Sequence, residues 1–313
     1  MGWSPRALFA LHPLLVRGGR GSFLTALING ISLGSVYAII ALGYTMVYGI
    51  AKMLNFAHGD VIMVGGYLCF CTVQYLGLPT LAGVLLAVVG CTALGIVVEG
   101  LAYKPLRQAP SLAVLITAIG VSYFLQNSAL LIWGADPKAF PSAVSFPSVK
   151  LFDGQLIINS ITIVTVLAAV LVMVALTLFT SRTKMGKAMR ACSEDKGAAQ
   201  LMGINVDRTI SMVFAIGSGL AAIAGVLLCS AYPTLTPTTG SMPGIKAFTA
   251  AVFGGIGSIP GAALGGVLLG IIEIMAKTYI STQLSDAIVF GVLIIVLLIK
   301  PAGLLGKLVP EKV

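Results

Sequence analysis

Charge is what this sequence lacks most. Of its 313 residues only 9% are Asp, Glu, Lys or Arg, while 58% are apolar; ordinary soluble domains carry about 25% charged residues. A chain so composed cannot cover a water-facing surface, and its mean hydropathy of +1.03 assigns it to the bilayer. The same composition excludes disorder and a coiled coil. Histidine is scarcer still: His12 and His58 are the only two, which excludes a His-rich metal centre. The five cysteines show no CxxC spacing. Cys69, Cys71, Cys91 and Cys229 sit in apolar runs and Cys192 in a basic stretch, so they read as small apolar side chains, with no disulfide scaffold and no metal site. A phosphate-cradling GxxxxGK[ST] loop is missing, since Gly186-Lys187 is followed by Ala188 and Gly306-Lys307 by Leu308. HExxH is also missing, and GxSxG occurs in no strand-turn-helix context. We expect no catalytic residues and no cofactor held by this chain.

What is present is a series of uncharged runs: 21–51, 61–98, 108–135, 154–181, 209–245 and 247–272. A membrane crossing needs roughly 20 residues. The run 61–98 is too long for one helix and divides at Gly77 and Pro79. The expected spans are 23–50, 61–76, 80–101, 112–133, 159–180, 209–230, 246–259, 261–280 and 284–300. The segment 246–259, short and carrying Gly254, Gly255 and Gly257, reads as a half-helix or re-entrant element. The expected fold class is therefore all-α: a polytopic membrane protein of about 8–10 transmembrane segments with broken helices.

The net charge of +9 follows from basic residues at the ends of apolar segments, the positive-inside pattern, so nucleic acid is not an expected partner. Residues 181–208 hold six basic side chains (Arg182, Lys184, Lys187, Arg190, Lys196, Arg208) and three acidic ones, which makes this loop cytoplasmic and the loop 134–158 external. Residues 1–22 form a basic segment with Arg6, Arg17 and Arg20. A cleaved signal is not expected, because Pro13 interrupts the apolar stretch and no small-residue cleavage site follows. If those arginines and the Lys104 turn share one side, the crossings between them must be even in number. Either the N-terminus lies outside, or Tyr44–Gly59 is a fourth, broken crossing; we favour the latter, because Lys52, Asn55, His58 and Asp60 suit no lipid-facing helix.

Polar groups at membrane depth cost several kcal/mol unless they face a bundle interior or an aqueous cavity. The cluster Asn55-Phe-Ala-His58-Gly-Asp60 is thus either part of a solute path or an interfacial turn. Lys246 to Gly261 places Gly255, Gly257 and Pro260 where backbone groups leave the helical ladder, which serves either a solute or close packing. Glu273 and Lys277 at i, i+4 read as an ion pair. Gly83-Val-Leu-Leu and Gly266-Val-Leu-Leu fall on helices of opposite direction, as inverted repeats would, although Gly225-Val-Leu-Leu occurs a third time. Met185–Met202 reads as one amphipathic helix, either a docking element or a solvated connector.

Four blocks in order carry a resemblance: Tyr44-Thr-Met-Val-Tyr-Gly-Ile50 with Leu54-Asn-Phe-Ala-His-Gly-Asp60, Ser122-Tyr-Phe-Leu-Gln-Asn127, Arg190-Ala-Cys-Ser-Glu-Asp195 with Leu201-Met-Gly-Ile-Asn-Val-Asp-Arg208, and Lys246 to Gly261. From about Leu27 onward the chain resembles the permease subunits of bacterial ABC importers for branched-chain amino acids, of the LivH type. The resemblance implies a permease domain over 23–313 in the bacterial inner membrane and a second, different permease beside it. It further implies two ATPase subunits that use the ATP and a periplasmic binding protein that delivers substrate. Residues of the translocation path would be Asn55, His58, Asp60, Gln126, Asn127, Lys246, Gly255 and Gly257. The loop 181–208 would be the coupling segment, with Arg190, Glu194, Asp195, Ala198, Ala199 and Gly203 toward the ATPase. Its apolar face (Met189, Cys192, Ala199, Leu201) would enter a groove on that partner. Gly197 stands where the family's more familiar glutamate would be, and no Leu-Pro follows. Two rivals remain: a same-family permease for urea or short amides, and an ion-coupled transporter using Asp60, Glu99 or Glu273.

Overall fold

The computed structural model describes residues 20–141, 148–151 and 156–306, so the charge reading at Arg6, Arg17, Asp153, Lys307 and Lys312 lies outside the described residues. The described residues form eleven α-helices: α1 (Arg20–Ala51), α2 (His58–Gln74), α3 (Thr80–Val98), α4 (Ser111–Trp133), α5 (Ser160–Arg182), α6 (Lys184–Glu194), α7 (Lys196–Leu201), α8 (Val206–Ala231), α9 (Ser241–Gly254), α10 (Ile259–Tyr279) and α11 (Ser285–Ile299). α3 is prolonged by a π turn, Glu99–Tyr103, and a 3-10 turn, Lys104–Leu106. Six of the helices are long and apolar enough to cross a membrane; α2, α9 and α11, at 17, 14 and 15 residues, are shorter. α9 starts five residues before the expected span, with Pro243 in its first turn, where a missing N–H leaves no helix bond unmade.

Small residues dictate how the helices approach. α1 lies along α10, and a Cβ on Gly34 would fall 2.7 Å from the Val267 Cα, one on Gly30 2.8 Å from that of Ile271. In a bilayer, where apolar burial gives helices no mutual preference, such close backbone contact is the main source of association. α3 lies along α8 in the same way, Gly95 facing Phe214 and Ser218.

The helix order repeats with inverted direction. α1 is followed by a non-helical entry segment, 52–57, the short α2, then α3 and α4; α8 is followed by 232–240, the short α9, then α10 and α11. Exchanging the halves maps the α1–α10 packing onto α8–α3, and α2–α8 onto α9–α1. The two Gly-Val-Leu-Leu echoes fall on the equivalent helices α3 and α10. Residues 52–57 enter from the end that carries α6 and α7, since Ala51 accepts a bond from Lys196. Residues 232–240 enter from the other end, where β4 (Thr234–Leu235) pairs antiparallel with β1 (Lys138–Ala139). A hairpin of β2 (Val149–Leu151) and β3 (Leu156–Ile158) lies in the same loop, 134–158.

Two expectations are corrected. Tyr44–Gly59 is not a fourth crossing: α1 is one continuous helix to Ala51, and 52–57 turns back into the bundle without traversing it. α1 therefore begins at the end opposite α6 and α7, despite the arginines around it. Nor is Met185–Met202 one helix. It breaks at Asp195 (φ −153°, ψ 114°), whose carboxylate accepts from the Ala198 amide at 3.0 Å and starts α7. Asp is favoured at such caps because its side chain satisfies an otherwise orphaned amide.

Candidate functional site

The two short helices start beside each other inside the bundle and run in opposite directions. Gly59 lies against Gly240 and Gly244: a Cβ on Gly59 would sit 2.8 Å from the Gly240 carbonyl oxygen, and one on Gly244 2.7 Å from the Gly59 Cα. Neither Ala57 nor Gly240, the cap residues, uses a side chain to satisfy the first turn. Two helix N-termini thus converge on one place; the amides of His58, Asp60 and Ser241 are bonded to the carbonyls of Asn55, Ala57 and Thr238, and Asp60 sets a carboxylate in the first turn of α2.

Side chains from three further elements fix this junction. Tyr103 donates to Asn55 Oδ1 at 2.8 Å, tying the entry segment to the end of α3. Gln126 on α4 donates to Asp60 Oδ1 at 2.9 Å and to Ser241 Oγ at 3.2 Å, and so bridges the first turns of α2 and α9. His58 is buried edge-on against Tyr44, with ring centroids 4.6 Å apart, and Gly43 leaves the room for it. Beside the junction an apolar face stays open. Phe56 and Phe248 meet at 5.6 Å between centroids, and Met242 and Ile245, one helical turn apart on α9, are 44% and 42% exposed. The single-chain sequence offered no sign of these four residues, because an apolar side chain facing a solute or partner looks the same as one facing lipid.

Lys246, one turn further along α9, belongs to an ion cluster. Its Nζ donates to Glu273 Oε1 at 2.8 Å and pairs with Asp286 at 2.7 Å; Lys277 pairs with the same Glu273 oxygen at 2.6 Å, and Tyr37 donates to Oε2 at 2.8 Å. The i, i+4 pair expected from sequence is present within this larger group. Glu273 is 1% exposed and Asp286 41%. Removing one partner of a buried pair costs about 3 kcal/mol or more, whereas exposed pairs contribute under about 1 kcal/mol. Glu273→Ala should therefore lower the melting temperature of the detergent-purified chain far more than Asp286→Ala does; equal shifts would mean that the cluster is solvated. Gly255 (φ 106°) and Gly257 (φ 93°) lie instead at the far end of α9, where Gly255 touches Leu305 and Gly306 and Gly257 approaches Gly49. Asn127 faces outward on α4 and bonds to Tyr123 of its own helix.

At the end with α6 and α7, a groove of about 590 Å³ is lined by Lys184, Lys187, Ala188, Ala191, Glu194, Ala198 and Met202, among others. Met202 in that lining is 83% exposed, and the neighbouring Leu201 is 90% exposed. Here a further expectation is corrected in part: Met189 and Cys192, 0% and 1% exposed, are turned into the bundle and offer no face to a partner, whereas Ala199, 4% exposed, borders the groove. Glu194 and Ala198 are exposed, while Arg190 donates to the Ser181 carbonyl at 3.4 Å. Gly203 (φ 81°) ends α7, with Ile204 N–H bonded to Ala199 and Gly203 N–H to Gln200, which closes the helix with its last carbonyls satisfied.

The family model described as branched-chain amino acid transport system / permease component matches residues 26–297. The chain belongs to this family. It is 46% identical to the high-affinity branched-chain amino acid transport system permease protein LivH of Salmonella typhimurium, covering 93% of this chain and 98% of that one. Identity to LivH of Escherichia coli (strain K12) is 47% with the same coverage. For the permease protein BraD of Pseudomonas aeruginosa it is 44%, again over 93% and 98%. These relatives are transport permease components, not enzymes. As a member of this permease family, with its apolar helices, the chain is a multi-pass membrane protein.

Of the residues that the sequence resemblance assigned to the permease path, the fold brings Asn55, His58, Asp60 and Gln126 to the helix junction. Lys246 lies one turn away in an ion cluster, and Asn127, Gly255 and Gly257 lie apart from it.

Proposed function

We propose that this chain is the path-forming permease subunit of an ATP-driven importer of leucine, isoleucine and valine in the bacterial inner membrane. A second permease covers the open apolar face, two ATPases sit at the α6–α7 end, and a periplasmic binding protein delivers substrate at the other. On this reading 181–208 is the cytoplasmic coupling loop, 134–158 is external, and ATP is used only by the partners, since this chain has no phosphate-binding loop of its own.

The observation that carries the substrate class is the junction of α2 and α9. The N-terminus of α9, whose first turn holds no acidic residue, presents positive potential to a carboxylate, while the first turn of α2 carries Asp60. Phe56, Met242, Ile245 and Phe248 beside them offer apolar contact to a branched side chain, whose burial contributes about 1.5–3 kcal/mol. Urea and short amides carry neither group, so the face would gain nothing from them. Ion coupling is disfavoured by the state of the three buried carboxylates. Asp60 is bonded to Gln126, Glu99 to Arg107 and Ser211, and Glu273 to two lysines and Tyr37, so none stands open to a travelling cation.

The test is uptake by proteoliposomes holding the purified complex with its ATPases and binding protein. Leucine should enter only with ATP on the ATPase side, and urea should not compete. Uptake that follows an imposed ion gradient without ATP would overturn the assignment, and preference for urea would overturn the substrate.

A further inference from the structure

Lys196, the first residue of α7, sends its side chain away from the groove and back onto the bundle. Its Nζ donates to the main-chain oxygen of Ala51 at 2.7 Å. Ala51 ends α1, and its carbonyl is one of those that a helix terminus leaves without an intrahelical partner. A cation at that place also meets the negative end of the helix. Burial, with Arg107 and Lys52 close by, holds the Lys196 ammonium below the ordinary lysine range. The contact is thus made although two other cations lie close by, and it is the Ala51 carbonyl that holds the side chain there.

The residues after Ala51 give this contact its consequence. The chain turns at Lys52, the one non-glycine with positive φ (58°) among the described residues, and enters the bundle as the segment that carries Asn55 and Phe56. Asn55 is pinned by Tyr103, and Phe56 meets Phe248 on the open apolar face. One side chain of α7 therefore holds the near end of a short segment whose far end lines the junction, with the Tyr103–Asn55 bond between them. Met189 and Cys192 also seat α6 on the bundle, but apolar contacts of this kind are non-directional.

On the permease assignment above, we propose that Lys196 is a positioning residue for transport: it ties α7 to the end of α1, so that displacement of α6 and α7 by a partner ATPase moves residues 52–57 and, with them, Phe56 against Phe248. The link is one contact in a contiguous chain of bonded and packed groups, the physical route by which distant sites are coupled.

The test compares the reconstituted complex as wild type, Lys196→Met and Lys196→Arg. Loss of a charge-assisted bond should lower the amount of leucine taken up per ATP hydrolysed about tenfold in Lys196→Met. Lys196→Arg, which still reaches the Ala51 carbonyl, should recover most of it. A second readout separates this role from simple support of the fold. In a background with the five native cysteines replaced, Phe56→Cys is alkylated with and without trapped nucleotide. The nucleotide-dependent change in rate should vanish with Lys196→Met while hydrolysis continues. Unchanged uptake per ATP in Lys196→Met, or a Phe56→Cys reporter that still responds, would overturn the link. Should Lys196→Met not assemble, Lys196→Gln, too short to reach Ala51, carries the same comparison. A wild-type complex without ATP-dependent uptake would overturn the importer assignment, and this link with it.

Discussion

Gly240→Val should abolish transport and sharply reduce recovery of folded chain. A side chain at Gly240 would overlap the Gly59 carbonyl group, and reciprocally a Cβ on Gly59 would lie 2.8 Å from the Gly240 oxygen. Overpacking usually costs about 1–3 kcal/mol because neighbouring side chains shift to absorb it. Here the obstacle is backbone on both sides, so relief requires moving a whole helix. α2 is held by Gln126 through Asp60, and α9 by Lys246 through Glu273, which leaves neither free to retreat. We expect a loss at the top of that range or beyond, read as a fall in melting temperature and as aggregation on size exclusion. Gly120→Ala on α4 is the control, since nothing lies within 4 Å of a Cβ there. It should be neutral or slightly stabilising, by up to about 1 kcal/mol, as alanine loses less backbone entropy in a helix. If Gly240→Val melts and transports like Gly120→Ala, the two short helices are not apposed in the folded protein.

That apposition also marks the boundary of what the sequence discloses. Uncharged run lengths specify the long helices, because bilayer thickness and backbone hydrogen bonding leave few other solutions. Clusters such as Asn55–Asp60 and Gly254–Gly257 mark where helices break, because polar side chains and glycines have little reason to sit in a lipid-facing helix. Neither signal states which way the chain turns afterwards. The segment 52–57 re-enters instead of crossing, and that depends on Gly59 meeting Gly240 and Gly244, which lie far from it in sequence. The direction of α1 was misread for a related reason: positive-inside counting weighs arginines near Phe23, while the fold is decided by the packing of Gly30 and Gly34 on α10. The break at Asp195 was within reach of local reasoning, as an Asp three residues before an amide it can cap, but amphipathic periodicity on either side concealed it.

The coupling surface yields the other large effect, through two adjacent alanines with opposite expected outcomes. Both alanines border the groove, but Ala198 is exposed in it beside Ala188, Ala191 and Met202, whereas Ala199 is 4% exposed, at its buried edge. Arginine is a good helix former, so Ala198→Arg should leave α7 and the chain's own stability within about 0.5 kcal/mol. It would nevertheless fill the groove and add a third cation to Lys184 and Lys187 there. Blocking a contact of this central kind costs about 2–4 kcal/mol of binding, or roughly 30- to 1,000-fold. Ala198→Arg should therefore insert and melt normally but fail to retain the ATPases during purification, with uptake lost. Ala199→Arg would instead force a guanidinium into a buried position, and leaving it there unpaired costs several kcal/mol. That variant should lose thermal stability before it loses any partner. Melting curves of the isolated permease and co-purification of the ATPases distinguish the two. If Ala198→Arg retained its ATPases and normal uptake, the groove on α6 and α7 would not be the docking surface, because the substitution removes the space into which any partner would have to fit.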